Sequence, residues 1–380
     1  MFDINCDYFS SNYAVEDRPL LLILDRQDDP ITPLLSQWTY QAMLHEFFAL
    51  KNGRIRLESP GMEAEYVMSV EGDDFYSQNL FLPIWKVAEG VQDLVSRYHQ
   101  MSQMASNFAT IADMKRFMED YPEYKRLGVH VNKHVTLASE LMKLSESQGL
   151  RAMSEFEQEL VSQSEWTPQT AWSKLVPFLK PDSSLTRYHK LRLCMLVLAH
   201  VGINLPLDSL SRLYGFSDDD VDFLKYFYLT RSEKDQPSAS SDSSNAEAFG
   251  VLRKGIIGGL AQLTSTSTAP EIKAQMTPLT RHVPKLVTIL DSALKNKLPS
   301  QTHPYLQTEF DTATEIEKPK DIIIAVLDGC TFEEARFVAL CNQVYPGVRI
   351  TLASNFVHNS RSYIAELVNE WQYHKQQSRE

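Results

Sequence analysis

An α/β domain assembled from both ends of the chain, with a large helical domain inserted between, is the fold class this sequence predicts. Three observations carry that expectation. The stretch Leu20–Leu24 is apolar without alternation, as in a parallel strand covered on both faces. Two further strands, DIIIAVLDG and VRITLAS, lie near the other end, at about 322–327 and 348–353. One β-α unit opens the chain, a β-α-β-α unit closes it, and mostly helical sequence separates them.

The 380 residues suffice for about two domains. A hydrophobic content of 43% with 23% charge fits a globular protein. The net charge of -12 argues against nucleic acid or anionic lipid as the main ligand, because phosphate binding needs a dense positive field. Cys6, Cys194, Cys330 and Cys341 form no C-x-x-C pair and no zinc spacing, so reduced, buried thiols are expected. The first residues lack the basic-then-apolar order of a signal peptide. No apolar stretch is long enough to span a bilayer.

Residues 1–66 read as the first part of the α/β domain. After Asp25 a turn leads to Thr32-Pro33, which suits a helix start and predicts a helix to about Leu50. Residues 54–58 and 64–70 read as a strand pair. Residues 67–248 read as the inserted helical domain, with a long hairpin at about 83–147. Ile84, Val87, Val91, Leu94, Tyr98 and Met101 recur at spacings of 3 and 4, and so do Ile111, Met114, Met118 and Tyr121. A third helix carries Leu137, Leu141 and Leu144. Helices are expected at about 151–163, 169–180, 184–201, 206–214 and 218–230. Ser217 and the aspartates after it make a helix start. Residues 231–248 are polar, Ser-rich and expected to be disordered. Residues 249–380 hold a helix at about 279–297 and the rest of the α/β domain.

The acidic cluster Asp25, Asp28, Asp29 stands where α/β enzymes place catalytic groups. An alternative reading is therefore a divergent magnesium-dependent α/β phosphohydrolase using Asp25 and Asp29. Against it, D-x-x-D-D is not D-x-D, and no later strand end supplies a matching acidic pair. Turn hydrogen bonds explain these aspartates more simply. No phosphate loop, dinucleotide turn or nucleophile elbow occurs, so neither a cofactor nor catalytic residues are expected. His130 and His134 are four apart, but without H-E-x-x-H or a nearby carboxylate they read as solvent-facing or hairpin residues, not metal ligands. Most of the 3,4 seam is expected to be internal packing.

The stretch RPLLLILDRQDDPITPLLSQWTYQAMLHEFFAL resembles the signature of the SM (Sec/Munc) family of SNARE regulators, with Asp25, Arg26, Asp29, Pro30, Thr32 and Pro33 at its core. DDFYSQNLF, IADMKRFMEDYPEYKRL, TFEEAR, PGVRI and VHNSRSYI follow in the family's order. The resemblance implies a non-catalytic protein that binds syntaxin and its cognate SNARE helices. It implies a role in docking and fusion on the Golgi-to-endosome or vacuole route, with membrane association only indirect. It places SNARE binding on the hairpin, at Met118, Tyr121, Pro122, Tyr124, Lys125, Arg126, Leu127 and Val131. The apolar residues would receive a SNARE helix and the basic ones its acidic flanks, unless they simply pack the hairpin. In the family the proline matching Pro122 is a hinge, so the helix is expected to bend or break there. The family carries a further domain before the D-R motif, where this chain has 24 residues, so the pocket for a syntaxin N-peptide is expected to be absent. The family's paired glycines after the last two strands read Asp328-Gly329 and Ala353-Ser354 here, which predicts turns compatible with a Cβ.

Overall fold

The computed structural model describes residues 19–59, 62–106, 110–162, 166–202, 206–232, 279–304 and 319–377. Cys6 and nearly all of the expected disordered stretch 231–248 lie outside them. In chain order the elements are β1 (Leu20–Asp25), α1 (Tyr40–Phe48), β2 (Arg54–Ser59), β3 (Met62–Val67) and α2 (Asp74–Asn79). Two long helices follow, α3 (Ile84–Ser106) and α4 (Ile111–Ser147). After them come α5 (Leu150–Ser162), α6 (Pro168–Leu179), α7 (Arg187–Val201), α8 (Asp208–Tyr214) and α9 (Asp218–Ser232). The last set is α10 (Lys285–Leu294), β4 (Asp321–Leu327), β5 (Cys330–Thr331), α11 (Phe332–Val344), β6 (Arg349–Ser354), β7 (Val357–His358) and α12 (Ser360–Gln377).

These elements form two compact units. Among the described residues, one draws on 19–33 and on those between 282 and 358, the other on those between 34 and 227 and on 359–377. Residues 34–66, read from the sequence with the sheet, cluster with the helices instead.

In the first unit, β1, β4 and β6 form a parallel sheet in the order β1-β4-β6. Its register sets Leu22 beside Ile324, and Ile324 beside Leu352. Leu22, Leu24, Ile322, Ile324, Val326 and Ile350 pack with Leu286 and Leu290 of α10 and with Phe337 and Val338 of α11. The expectation that β1 is buried on both faces does not hold. Leu21 and Ile23 are each 50% exposed, because α10 and α11 pack on the side that holds Leu22 and Leu24. The helix expected at 279–297 is shorter, and starts after Pro284. Asp328 is also a correction, since it takes a left-handed φ of 61° although it carries a Cβ. Aspartate tolerates that region better than most residues.

Gly329 has a φ of 90°, and a Cβ there would run into the buried His358 ring and lie 2.8 Å from Phe356. Gly329→Ala should cost about 2 kcal/mol, read as a lower urea midpoint. An unchanged midpoint would show that this turn rearranges freely.

In the second unit the apolar seams build the core. Ile84, Val87, Val91 and Leu94 of α3 are buried, as are Leu137, Ala138 and Leu141 of α4. Thr32 does not begin a long helix. Thr32–Leu34 form a single 3-10 turn, and α1 starts only at Tyr40. The Thr32 hydroxyl is spent on Asp29 rather than on a helix end. The third hairpin helix is not separate either, because Leu137, Leu141 and Leu144 continue α4. Ser217 begins α9 as expected, accepting from the Asp220 amide at 3.2 Å.

Candidate partner-binding face of the helical hairpin

α3 ends at Ser106 and α4 starts at Ile111, so the hairpin end lies nearer Ile111 than the stretch 118–131 named from sequence. Thr110 caps α4 through a reciprocal pair of hydrogen bonds with Asp113. The helix then runs unbroken for 37 residues with Pro122 inside it. The expected break at Pro122 is therefore absent. Proline removes the donor that the Met118 carbonyl would have used and crowds the preceding turn. Helical sequence on both sides, the Thr110 cap and the buried Leu127 hold the helix through that defect.

Ile111, Met114, Met118 and Tyr121 repeat the 3,4 spacing, but they are not packed against α3. They are exposed by 88%, 50%, 71% and 50%. Expected to be internal packing, this stretch of the seam is open. The same spacing continues through Lys125, Gly128 and Asn132, which line a cavity of about 780 Å³ together with Tyr121, Tyr124 and Val67. One helical face thus carries an apolar stripe that leads into a hollow beside β3. A face with spacings of 3 and 4 is complementary to a second helix of the same period.

The residues named from sequence divide on this geometry. Met118, Tyr121 and Lys125 lie on the open face, and Pro122 and Arg126 are also exposed. Arg126 sits 3.9 Å from Asp74. Tyr124 stacks on Tyr98 of α3 with ring centroids 5.2 Å apart, at the point where Gly128 lets Tyr98 approach. Leu127 is buried and Val131 half-buried, so neither is presented as expected. Sequence reasoning left out Gly128 and Asn132, although continuing the spacing past Tyr121 reaches both. Replacing Pro122 with alanine restores the missing hydrogen bond. It should slow amide exchange between Ile111 and Tyr121 about tenfold. Exchange as fast as in the parent would mean the proline does not weaken this end of α4.

At the other side of the same hollow, His130 and His134 are not solvent-facing. His134 is fully buried, its Nε2 2.8 Å from Asp73 Oδ2 and its Nδ1 2.9 Å from the Tyr40 hydroxyl. His130 Nδ1 lies 3.3 Å from the same carboxylate oxygen. Lys133 pairs with it as well, and donates to the Val67 carbonyl at 3.0 Å. Asp73 Oδ1 caps α2 by accepting from the Tyr76 amide. Burial pushes the Asp73 carboxyl up, but His134, Lys133 and the Tyr76 amide outweigh it and hold the group well below the carboxylate range.

The D-R motif of the sheet unit is a structural lock. Asp25 accepts from the Gln27 amide at 2.8 Å. Arg26 forks onto both oxygens of Glu334 at 2.8 and 2.9 Å and donates to the Asp29 carbonyl. Asp29 accepts from the Thr32 amide, the Thr32 hydroxyl and the Lys285 amide. Pro30 is half-buried and Pro33 buried in the turn that follows. Burial pushes Asp29 up, yet Arg26, His282 and Thr32 keep it below the ordinary range. Asp25 and Asp29 are engaged in turn hydrogen bonds, and among the described residues neither belongs to a group of three side chains placed to hold a metal ion. Among the described residues no helix is long and apolar enough to cross a membrane.

The chain is 34% identical over 358 residues to vacuolar protein sorting-associated protein 45 of Rattus norvegicus, covering 92% of this chain and 59% of that protein. It is 33% identical over 368 residues to the protein of the same name from Schizosaccharomyces pombe, covering 92% and 61%. The chain thus spans about three-fifths of the length of these relatives. A solved structure of the SM protein Vps45 in complex with the Qa SNARE Tlg2 superposes with a TM-score of 0.76 at 29% identity, covering 97% of this chain and 63% of that one. The description of the Sec1 family matches residues 3–366, nearly the whole sequence, and the chain belongs to that family.

Proposed function

We propose that this protein binds syntaxin and its cognate SNARE helices, and promotes vesicle docking and fusion on the Golgi-to-endosome or vacuole route. It acts by positioning helices rather than by bond chemistry, at Golgi and endosomal membranes reached through its SNARE partners. The observation that carries the reading is the open stripe Ile111, Met114, Met118 and Tyr121 on one continuous helix. Exposed apolar residues at heptad spacing cost solubility and gain only when another helix covers them. Lys125 and Arg126 beside the stripe suit acidic flanks on that helix. A solved relative of similar fold was captured with a Qa SNARE, which supports the same partner class.

The test is a binding titration with the SNARE segment of an endosomal syntaxin. Met114→Asp with Met118→Asp should weaken binding at least tenfold while far-UV dichroism and melting stay unchanged, because both side chains are exposed. Equal binding by the folded double variant would remove this face from the proposal.

A further inference from the structure

We infer that Asp73, His130 and His134 form a binding site for a divalent transition cation, with zinc the best fit. Asp73 Oδ2, His130 Nδ1 and His134 Nε2 lie within 4.8 Å of one another. Ligands about 2.0–2.1 Å from a tetrahedral zinc sit about 3.3 Å apart. The His130–Asp73 separation is already 3.3 Å, and the His134–Asp73 separation of 2.8 Å needs to open only slightly. Two imidazoles and one carboxylate suit zinc and its neighbours rather than magnesium or calcium.

Three further features support the site. His130 Nδ1 is shut off from solvent and makes no hydrogen bond, although it stands 3.3 Å from the Asp73 carboxylate. Tyr40 holds the second nitrogen of His134, the outer hydrogen bond that fixes the orientation of a metal-binding imidazole. Asp73 and His130 line the 780 Å³ hollow, which gives a cation an entry path and leaves a fourth coordination position for water. Lys133 now supplies the positive charge on Asp73 Oδ2. A metal ion would replace it there, and the ammonium keeps the Val67 carbonyl as its acceptor. No electron moves, and one proton does: His134 Nε2 gives up the proton it shares with Asp73, and the ring carries a proton on Nδ1 instead, donating to the Tyr40 oxygen.

The competition makes the idea testable. Zinc chloride titrated calorimetrically into the chelator-treated full chain should bind once per chain at micromolar or tighter affinity. His130→Ala should weaken that binding at least tenfold, and Lys133→Met should tighten it by removing the competing charge. His130→Cys loaded with cobalt should gain a thiolate charge-transfer band that the parent lacks, which reports the site even if the alanine variant folds poorly. The inference is overturned by the absence of zinc binding in the folded parent, by parent-like affinity in His130→Ala, or by a cysteine variant with no new band. It does not depend on SNARE binding, which these measurements leave unprobed.

Discussion

Arg26→Met should destabilise the protein by about 3–5 kcal/mol, the cost of leaving a buried charge without its partner. The Arg26 side chain is 4% exposed and that of Glu334 2%, so water replaces nothing when the guanidinium goes. Glu334 then keeps only the Thr331 amide and hydroxyl, at 2.8 and 3.0 Å. Burial already raises the Glu334 carboxyl despite Arg26, and removing Arg26 should raise it further. Asp29 loses the donor to its carbonyl and the positive charge near its carboxylate. Urea unfolding should show a much lower midpoint with an unchanged slope. Arg26→Met combined with Glu334→Leu should recover much of the loss, because an apolar pair replaces a buried ion pair at little cost. A loss under about 1 kcal/mol in the single variant would mean that the lock around β1 and α11 is less dry than its geometry implies.

Acid should unfold the protein earlier than its carboxylates alone require, and His189 is the cause. Burial pushes its imidazole down to about 3, helped by Arg192 and Arg361. The unfolded chain takes up a proton near pH 6.5, while the folded chain refuses it until about pH 3. Stability from this group is therefore complete above pH 6.5 and lost as the pH falls. The loss is roughly 2 kcal/mol by pH 5 and roughly 4 by pH 3. His189→Gln removes the titration, so its urea stability should drop less between pH 7 and pH 5 than the parent's, by about 2 kcal/mol. Parallel losses in both proteins would assign the acid limb to other groups.

The strands of the sheet were legible in the sequence, whereas the helix starts expected at Thr32 and at 279 were not. The Leu20–Leu24 run marks β1, and DIIIAVLDG marks β4 to within a residue or two. Thr110 with Asp113, and Thr331 with Glu334, make capping boxes that the sequence reading did not pick out, although the contacts span only three residues. The spacing of Ile111, Met114, Met118 and Tyr121 fixes that they share a helical face. Periodicity says which residues lie together, not what covers them. That the stripe stands open while Leu137 and Leu141 are buried depends on where α3 and its neighbours stop packing against α4.

The buried charged clusters were beyond local reading for the same reason. His130 and His134 seemed to lack a carboxylate because Asp73 lies 61 residues from His134 in sequence, brought beside it only when α4 packs against the start of α2. Arg26 and Glu334 are 308 residues apart and meet because β1 pairs with β4, the strand preceding α11. The half-open faces of Leu21 and Ile23 follow from which side of the sheet α10 and α11 occupy. By itself the sequence determined the family, the strands of the sheet and the residues that share a helical face, because propensity and periodicity act within a few residues. Burial, charge pairing and the openness of the hairpin face were decided by tertiary structure, because desolvation depends on atoms that the chain brings together from far apart.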